Sequence, residues 1–376
     1  QPRYYSVQKT LPFYTTLDIL QYFGYYQPES KKFPIGLFCW TSIWVLGLIN
    51  LLVLIITRLF DGDYYAASAA VPFAIGLTVA NLINLLFALK QDTWSKLFLS
   101  VTDFSICGPP KDYMVLKQKS DKVAKLCMYF LTAFMTFLVV MALVLESNCL
   151  KGGDKDYICG LLLPVWWPEN YKTTMITKRF FLGVQLVISL ATIPYIFIAG
   201  LQYQVLQYIV AKVRHISQLI KAVPQNSKNQ TQDFKTIIIY HNHILDVSYR
   251  FNLVCKGTFG HVTLTIAVVI AFWSYHFIDG DVKCIAYIFI YLGNLWFLCH
   301  TGQQLEEQAA IIGNSFYFSN WQRYSKSIGK TIPFVLLRSQ KQVTFDAFPI
   351  GALNYEFFFA VVKSIFSFIS LLNQTL

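Results

Sequence analysis

Residues 348–372 read FPIGALNYEFFFAVVKSIFSFISLL, an apolar stretch long enough to cross a membrane as a helix. Within and just beyond it, Ser364, Ser367, Leu371 and Gln374 follow one another at helical spacings of three, four and three. Unpaired polar side chains are costly in hydrocarbon, so this stripe predicts a helix that faces water or another helix. A water-filled pore explains it; hydrogen bonding to a neighbouring helix of the same subunit is the alternative.

The rest of the chain has the composition of an integral membrane protein. Of its 376 residues, 55% are hydrophobic and 17% aromatic, far above the average of soluble domains. Long apolar runs favour helices over a barrel, because a helix satisfies its own backbone groups in lipid. We predict an all-α membrane protein with seven transmembrane helices, in the apolar runs 35–59, 66–89, 126–145, 180–201, 261–278, 284–298 and 348–372.

The basic residues predict how these helices are oriented. Of the 31 Lys and Arg residues, 23 lie in segments on the side of the N-terminus, seven lie on the opposite side, and Lys363 lies within the last run. Cytoplasmic loops carry the excess of positive charge. We therefore expect a cytoplasmic N-terminus and an extracellular C-terminus. The same spread over four loops, without a recognition motif, argues against nucleic-acid binding.

The connecting segments suggest three parts: a bundle of spans one to six with cytoplasmic helix extensions (1–302), a cytoplasmic anchor region (303–346) and a pore-lining seventh span (347–376). Apolar stripes in 202–223 and 303–337 predict cytoplasmic helices that pack together and against other subunits. The extracellular segment 146–179 contains a rigid Trp-rich run. It either covers the outer mouth of the bundle or anchors at the interface. Cys149 and Cys159 within it are candidates for a disulfide, which their spacing alone does not decide.

No pattern indicates an enzyme or a cofactor. The chain has no Gly-rich phosphate loop, no nucleophile elbow and no HExxH motif. His241 and His243 have no third metal ligand at a useful spacing, so a solvated helix face is predicted there rather than a metal site. A G-protein-coupled receptor would need the opposite orientation, a DRY-type motif and NPxxY, and both motifs are missing.

Towards the carboxyl end the sequence resembles the insect odorant receptor family. The resemblance rests on Ala309-Ala310 through Ser315-Phe316-Tyr317, on Trp321, Ser339-Gln340-Lys341, Pro349 and Phe357, and on Val362 to Leu372. These motifs cover about the last 70 residues, and spans and loop lengths agree along the whole chain. The chain has Ile365, Phe366 and Phe368 where the family often shows Ser, Tyr and Tyr. It lacks the large cytoplasmic insertion of the similar but longer co-receptor, so it resembles an odour-tuning subunit.

The resemblance implies an odorant-gated, non-selective cation channel in the plasma membrane of a sensory neuron dendrite, assembled with the co-receptor as a heterotetramer around one pore. It places the gate at Leu371, with Gln374 and Thr375 beside it, so the expected pore and gate residues are Ser364, Ser367, Leu371, Gln374 and Thr375. It places the small volatile ligand in the outer half of the bundle. There we expect Phe73, Gly76, Leu77, Val139, Ala142, Leu143, Phe181, Val184, Gln185, Ile188, Trp273, His276, Tyr287 and Tyr291 to contribute.

Two further expectations concern the assembly of the channel and the role of Lys363. A gustatory-type channel that assembles without the co-receptor is the close alternative. Lys363 lies in the middle of the last span, where a charge needs water or a partner. It is expected to border the inner vestibule or a subunit interface, with Glu356, seven residues earlier, as a possible partner.

Overall fold

The computed structural model describes residues 11–27, 35–152, 161, 165–166, 175–223, 230–278, 280, 284–319, 321, 326–341 and 343–375, and within these parts the fold is helical. The helices are α1 (Tyr14–Tyr22), α2 (Ile35–Phe60), α3 (Tyr64–Leu89), α4 (Gln91–Thr102), α5 (Tyr113–Gly152), α6 (Met175–Leu190), α7 (Ile193–Ala222), α8 (Gln230–Ile278), α9 (Cys284–Tyr317), α10 (Lys326–Ser339) and α11 (Tyr355–Thr375). Strands β1 (Asp346–Ala347) and β2 (Gly351–Ala352) pair antiparallel just before α11.

Five helical segments among the described residues are long and apolar enough to cross a membrane. They are Gly36–Phe60, Tyr64–Leu89, Arg179–Ala222, Thr231–Ile278 and Cys284–Tyr317. They contain the first, second, fourth, fifth and sixth apolar runs of the sequence. The third run lies in α5 and the seventh in α11, and their crossing remains a prediction.

Several helices are longer than the apolar runs they contain. The 49 residues of α8 extend for about 74 Å, more than twice the thickness of the hydrocarbon core. Residues 230–260 and the fifth span therefore form one continuous rod, and α9 joins the sixth span to the anchor region in the same way. Helix α5 continues through Gly152, so the segment expected as a loop from residue 146 is helical at its start.

The last helix begins later than predicted. The run from Phe348 was expected to be helical, but Phe348 to Leu353 form the β1–β2 turn and its exit. Helix α11 starts at Tyr355, where the Asn354 side chain accepts a hydrogen bond from the backbone N–H of Phe357 at 2.9 Å. Asn is a preferred residue for capping an exposed helix start. The 21 residues of α11 still extend for about 31 Å, enough to cross a bilayer.

Proline and a capping carboxylate explain other helix boundaries. Asp63 begins α3 by accepting the backbone N–H of Ala66 at 3.0 Å. Pro194, at the start of α7, has no N–H to continue the α6 ladder. The chain therefore makes a turn at Ala191 and Thr192 between the two helices.

The largest hydrophobic core lies in the part formed by α7, α8 and α9, with α1 and α4 packed against it. Aromatic side chains fill it, including Phe98, Tyr208 and Phe251, which are all at most 1% exposed. Much of the apolar surface of α2, by contrast, faces outward; Leu46 is 68% exposed. Outward apolar side chains on a helix of this length are expected to contact lipid.

The predicted solvated face at the two histidines of α8 is wrong. His241 is buried and its ring lies 6.2 Å from that of Phe316, while His243 is half-buried beside Lys212. The reason is that α8 is covered here by α7 and α9. The described residues contain no group of three or more His, Cys, Asp or Glu side chains that could hold a metal ion.

Candidate ligand cavity and last helix

A cavity of about 250 Å³ lies among α2, α3, α8, α9 and the junction of α6 with α7. Its lining is mostly apolar and aromatic, with hydroxyl and amide groups at a few positions. Pockets for small molecules have this character, because apolar walls bind and a few polar groups orient the ligand. The lining residues are Trp44, Pro72, Phe73, Gly76, Leu77, Val79, Ala80, Ile188, Ser189, Thr192, Tyr195, Ile196, Val262, Thr265, Ile266, Trp273, Tyr287, Ile290, Tyr291 and Asn294.

Three aromatic rings form one end of the cavity. Trp273 stacks on Tyr287 with ring centroids 4.8 Å apart, and Phe73 meets Trp273 edge-on at 4.9 Å. Such offset and edge-to-face pairs are favourable beyond their area burial. They join α3, α8 and α9, so the wall on this side is held by three different helices.

Gly76 lets a polar group approach the backbone of α3. A Cβ at this position would lie 3.0 Å from the hydroxyl oxygen of Tyr291. Any side chain there must therefore displace the hydroxyl. Further along the cavity, the Tyr195 hydroxyl and the Asn294 side chain add polar groups to the lining. Together with Tyr287, Tyr291 provides a hydroxyl on the α9 wall, so polar groups of the cavity come from both α7 and α9.

Of the fourteen predicted ligand residues, seven line this cavity: Phe73, Gly76, Leu77, Ile188, Trp273, Tyr287 and Tyr291. Their role in binding remains a prediction. Val139, Ala142 and Leu143 lie in α5, but their side chains are outside the described part of the structure.

Four predicted ligand residues lie away from the cavity lining. His276 is 2% exposed, and its Nε2 is 3.0 Å from the Ser68 hydroxyl. It therefore ties α8 to α3 and does not line this cavity. Gln185 is buried in α6, Phe181 is half-buried, and Val184 is 37% exposed on the outside of the bundle. The cavity lies one to two turns further along, at the α6–α7 junction, because the turn before Pro194 opens space there.

The sequence held signals for some of the residues that were missed. Thr192 lies in the turn just before Ile193-Pro194, where the helix must break. Tyr195 and Asn294 are polar groups inside apolar runs, which often mark functional positions. Trp44, Ala80 and Val262 carry no such signal, because they belong to the site only through helix packing.

The Trp-rich segment 146–179 reaches this region through Trp166. The backbone N–H of Trp166 donates to the Asn50 side chain at 3.3 Å, and Trp166 packs against the cluster formed by Leu51, Leu54, Ala70 and Ala74. Phe73 and Leu77, which line the cavity, belong to the same cluster. The Cys149 side chain and all of Cys159 lie outside the described residues, so the disulfide stays a prediction.

Helix α11 presents the predicted pore side chains on an uncovered surface. Its buried stripe is Phe357, Val361 and Ile365, at i, i+4 and i+8, packed against α8 and α9. Ser364 and Ser367 are exposed, and their hydroxyls donate to the carbonyls of Ala360 and Lys363. Leu371 is 52% exposed, and the side chains of Gln374 and Thr375 lie outside the described part.

The expected pairing of Lys363 with Glu356 is not formed. Both residues are described, both are exposed, and no ion pair joins them. The seven-residue spacing places them about 10.5 Å apart along the axis, too far for a direct contact unless both side chains reach for it.

The hairpin before α11 is clamped to two helices by glycines. A Cβ at Gly260 of α8 would overlap the carbonyl of Phe348, and one at Gly302 of α9 would overlap that of Leu353. Asn252 adds two hydrogen bonds: its Nδ2 donates to Asp346 Oδ2 at 2.8 Å, and its Oδ1 accepts the Asp346 backbone N–H at 3.0 Å. The start of α11 is therefore rigidly positioned by α8 and α9.

Comparisons with known proteins point to one family. The chain is 23% identical over 143 residues to putative odorant receptor 92a of Drosophila melanogaster. This alignment covers 37% of this chain and 35% of that protein. It is 27% identical over 163 residues to odorant receptor 13a of the same species, covering 39% of each protein. With odorant receptor 67c it shares 22% identity over 258 residues, 66% of this chain and 63% of the relative. These alignments span less than two thirds of each relative.

The fold is that of a solved insect receptor. The structure of the olfactory receptor OR5 from Machilis hrabei in complex with eugenol superposes with a TM-score of 0.79, over 97% of this chain and 98% of that one, at 13% identity. The family model described as 7tm Odorant receptor matches residues 72–366. The matched residues include the parts of α3, α6, α7, α8 and α9 that line the cavity, and most of α11. The chain belongs to the 7tm odorant receptor family.

Proposed function

We propose that the chain is the odour-tuning subunit of a ligand-gated, non-selective cation channel. A small volatile binds in the aromatic cavity, and α11 of each subunit lines a central pore that opens in response. The proposal rests first on the cavity, since a concave apolar space with a few hydroxyl and amide groups suits a small molecule carrying one oxygen function. The Machilis hrabei receptor of the same fold was solved with eugenol bound, which supports the same class of ligand here.

The pore assignment is supported by the surface of α11. Its buried stripe is narrow, and Phe359, Phe366 and Leu371 are more than half exposed in the single chain. A helix with this much uncovered apolar surface needs lipid or other subunits around it. With four copies around an axis, Ser364 and Ser367 would face water, and a ring of Leu371 would close the pore by excluding water.

The same proposal extends to assembly and location. The subunit joins the co-receptor in a heterotetramer in the plasma membrane of the sensory dendrite, with its N-terminus in the cytoplasm. The distribution of Lys and Arg supports this orientation, and the missing cytoplasmic insertion supports the odour-tuning role. The division into a bundle (1–302), an anchor region (303–346) and a pore span (347–376) is proposed on the same basis.

Currents in cells that express defined subunits test this function. A panel of volatiles should evoke a cation current only when the chain and the co-receptor are expressed together. Current from the chain alone would contradict the co-receptor requirement and favour the gustatory-type assembly. Current from the co-receptor alone with the same volatile would contradict the tuning role.

The pore assignment has its own test in the co-expressed complex. Ser367→Cys should make the current sensitive to a small, positively charged thiol reagent, because this side chain faces the pore. Phe366→Cys, also exposed but outside the polar stripe, is the matched control. The parent complex shows how much block the native cysteines cause by themselves. Equal block in the two variants, or none in Ser367→Cys, would remove α11 from the pore.

A further inference from the structure

A second cavity lies at the cytoplasmic ends of α5, α7 and α9. It has a volume of about 200 Å³ and is lined mainly by polar residues, including Lys119, Gln207, Arg214 and Gln304. Lys119 is seven residues before the predicted start of the third span, and Gln207 is six residues beyond the predicted end of the fourth. At 1.5 Å per residue both lie about 10 Å from the hydrocarbon edge, which is the level of lipid headgroups on the inner side.

The charges of this cavity favour an anion. Lys119 and Arg214 are exposed at its rim, and within the described part of the chain neither forms an ion pair. The amides of Gln207, Gln218 and Gln304 add N–H donors, and Asp112 is the one carboxylate among the described lining residues. Cationic side chains and amide donors around one concave space are the groups that recognise phosphate.

We propose that this cavity binds the phosphorylated headgroup of an inositol lipid from the inner leaflet. The walls come from three helices, so this concave site can contact a headgroup from several sides, unlike a flat basic surface that attracts any anionic lipid. Arg214 lies 13 residues beyond the predicted end of the fourth span, about 20 Å along α7. A headgroup must project from the bilayer to reach it, and a ring bearing several phosphates does so.

A hydrogen-bond chain connects this cavity to the last helix. Gln207 Nε2 donates to Gln304 Oε1 at 3.3 Å, and Gln304 Nε2 donates to His300 Nε2 at 3.0 Å. With its Nε2 accepting, neutral His300 carries its proton on Nδ1 and donates to the Tyr355 hydroxyl at 2.6 Å. Tyr355 is the first residue of α11. A phosphate that takes the amide N–H of Gln207 or Gln304 would therefore rearrange the contact at the base of this helix; that consequence rests on the proposed function.

Binding is tested without any channel current. The full chain is reconstituted in nanodiscs of phosphatidylcholine and titrated with a fluorescent short-chain phosphatidylinositol bisphosphate. We expect saturable binding that weakens about fivefold for Lys119→Gln and for Arg214→Gln, since one cation near an anionic headgroup contributes about that factor. Asp112→Asn should bind several-fold more tightly, because it removes the opposing charge and keeps a good helix-capping residue.

Lys122→Gln is the matched control. This lysine is exposed on the same basic segment and does not line the cavity, so its loss should change affinity less than twofold. Equal weakening by Lys122→Gln and Arg214→Gln would show a diffuse basic surface and overturn the site. Equal competition by phosphatidylserine at matched total charge would overturn it as well.

Soluble inositol trisphosphate distinguishes the source of the phosphate. If inositol trisphosphate competes more weakly than the intact lipid does, the result supports a membrane ligand. If the two bind with equal affinity, the result supports the phosphate site and assigns it a soluble ligand. No binding of either probe to the folded chain, judged by its normal elution on size exclusion, overturns the proposal. Because the readout is binding, this failure is distinguishable from a failure of the channel function.

Discussion

Gly76 has only a hydrogen atom as its side chain, so the Tyr291 hydroxyl can lie close to α3. Gly76→Ala would place a Cβ 3.0 Å from that oxygen, so the tyrosine ring must move into the cavity or away from it. We expect the half-maximal odorant concentration to rise about tenfold, from about 1.4 kcal/mol of lost binding free energy. Dose–response currents measure it. Gly183→Ala in α6 is the control, because no described atom outside its helix lies within 4 Å of a Cβ there; equal shifts would contradict a local effect.

Buried Lys212 holds the end of α4 against α7. Its Nζ donates to the carbonyls of Ser100 and Asp103 at 3.0 and 2.7 Å, and it is 1% exposed. A cation at the carboxyl end of a helix is also favoured by the helix dipole. The N–H of Ser105 holds the pKa of the Asp103 carboxyl below its usual range, so a negative charge persists beside the ammonium.

Lys212→Met should therefore destabilise the packing of α4 against α7. The partly buried carbonyls of Ser100 and Asp103 lose the ammonium donor, which costs about 2 kcal/mol. Fluorescence-detected size exclusion after heating should show a lower midpoint of unfolding. Lys221→Met, at an exposed position on the same helix, should leave the midpoint unchanged. A Lys212→Met midpoint equal to that of the parent would mean that water replaces the ammonium.

Lys363 is exposed in the single chain and has no carboxylate partner among the described residues. A charge at mid-membrane depth is tolerated when it faces water or a neighbouring subunit. Lys363→Met should therefore change single-channel conductance or the ratio of calcium to sodium permeability, because a ring charge at a pore changes the local concentration of cations. Unchanged conductance, permeability ratio and expression would place Lys363 away from both.

At the scale of elements, the hairpin between α10 and α11 depends on two glycines. Gly260→Ala or Gly302→Ala would overlap the carbonyl of Phe348 or of Leu353, and backbone cannot move aside as a flexible side chain does. Each change should cost about 1–3 kcal/mol of folding free energy and displace the start of α11. Odorant-evoked current at saturating ligand should fall at least several-fold, with surface expression measured in parallel.

Matched controls lie on the same two helices. At Gly257 of α8 and Gly293 of α9, no described atom beyond the helix lies within 4 Å of an added Cβ. Alanine there should be neutral or slightly stabilising, since it favours the helix by about 1 kcal/mol relative to glycine. A loss of current as large in the controls as in Gly302→Ala would contradict the clamp.

At the scale of the whole molecule, α9 links the ligand cavity to the base of α11. Tyr287, Tyr291 and Asn294 line the cavity, and His300 contacts Tyr355 less than two turns further along the same rod. Trp296 stacks on His300 with ring centroids 4.8 Å apart. A shift of α9 in response to a ligand would therefore change the contact that holds the start of α11.

Tyr355→Phe should change the balance between closed and open channels. Losing one hydrogen bond of about 1 kcal/mol changes that balance about fivefold. Spontaneous current and the half-maximal odorant concentration report the change. If His300 transmits the effect, His300→Phe and the double variant should match Tyr355→Phe; an additive double variant would contradict a shared contact. Tyr22→Phe, at a position 87% exposed, is the control.

Much of the fold was predictable because apolar runs of membrane length permit few structures. The runs now within α2, α3, α8 and α9 were assigned to helices from hydropathy alone, as a lipid environment requires. The start of α11 was not, since Phe348-Pro349-Ile350 is as apolar as a span and only the pairing of β1 with β2 shows that it turns. His241 was misassigned because a polar residue buried between three helices looks the same in sequence as one in solvent.

Half of the predicted ligand residues line the cavity, and the division has a physical origin. Phe73, Trp273 and Tyr287 are large aromatic residues on adjacent helices. Such residues pack together over a range of helix rotations and depths. Gln185 and His276 are polar, but a buried polar group is satisfied by whichever neighbour is nearest, as His276 is by Ser68. The position of the cavity along α6 and α7 depends on the turn before Pro194. No local sequence pattern shows how this turn changes the packing of α6.

The sequence by itself determined the membrane class, the helical architecture and the polar stripe of the last helix, because these follow from the cost of placing backbone and polar groups in hydrocarbon. Only the tertiary structure decided which side chains enclose the cavity, that glycines seat the hairpin beneath α11, and that Gln207, Gln304, His300 and Tyr355 form one chain. These features join residues from seven helices, and their contacts depend on helix rotation and depth, which the packing of the whole molecule sets.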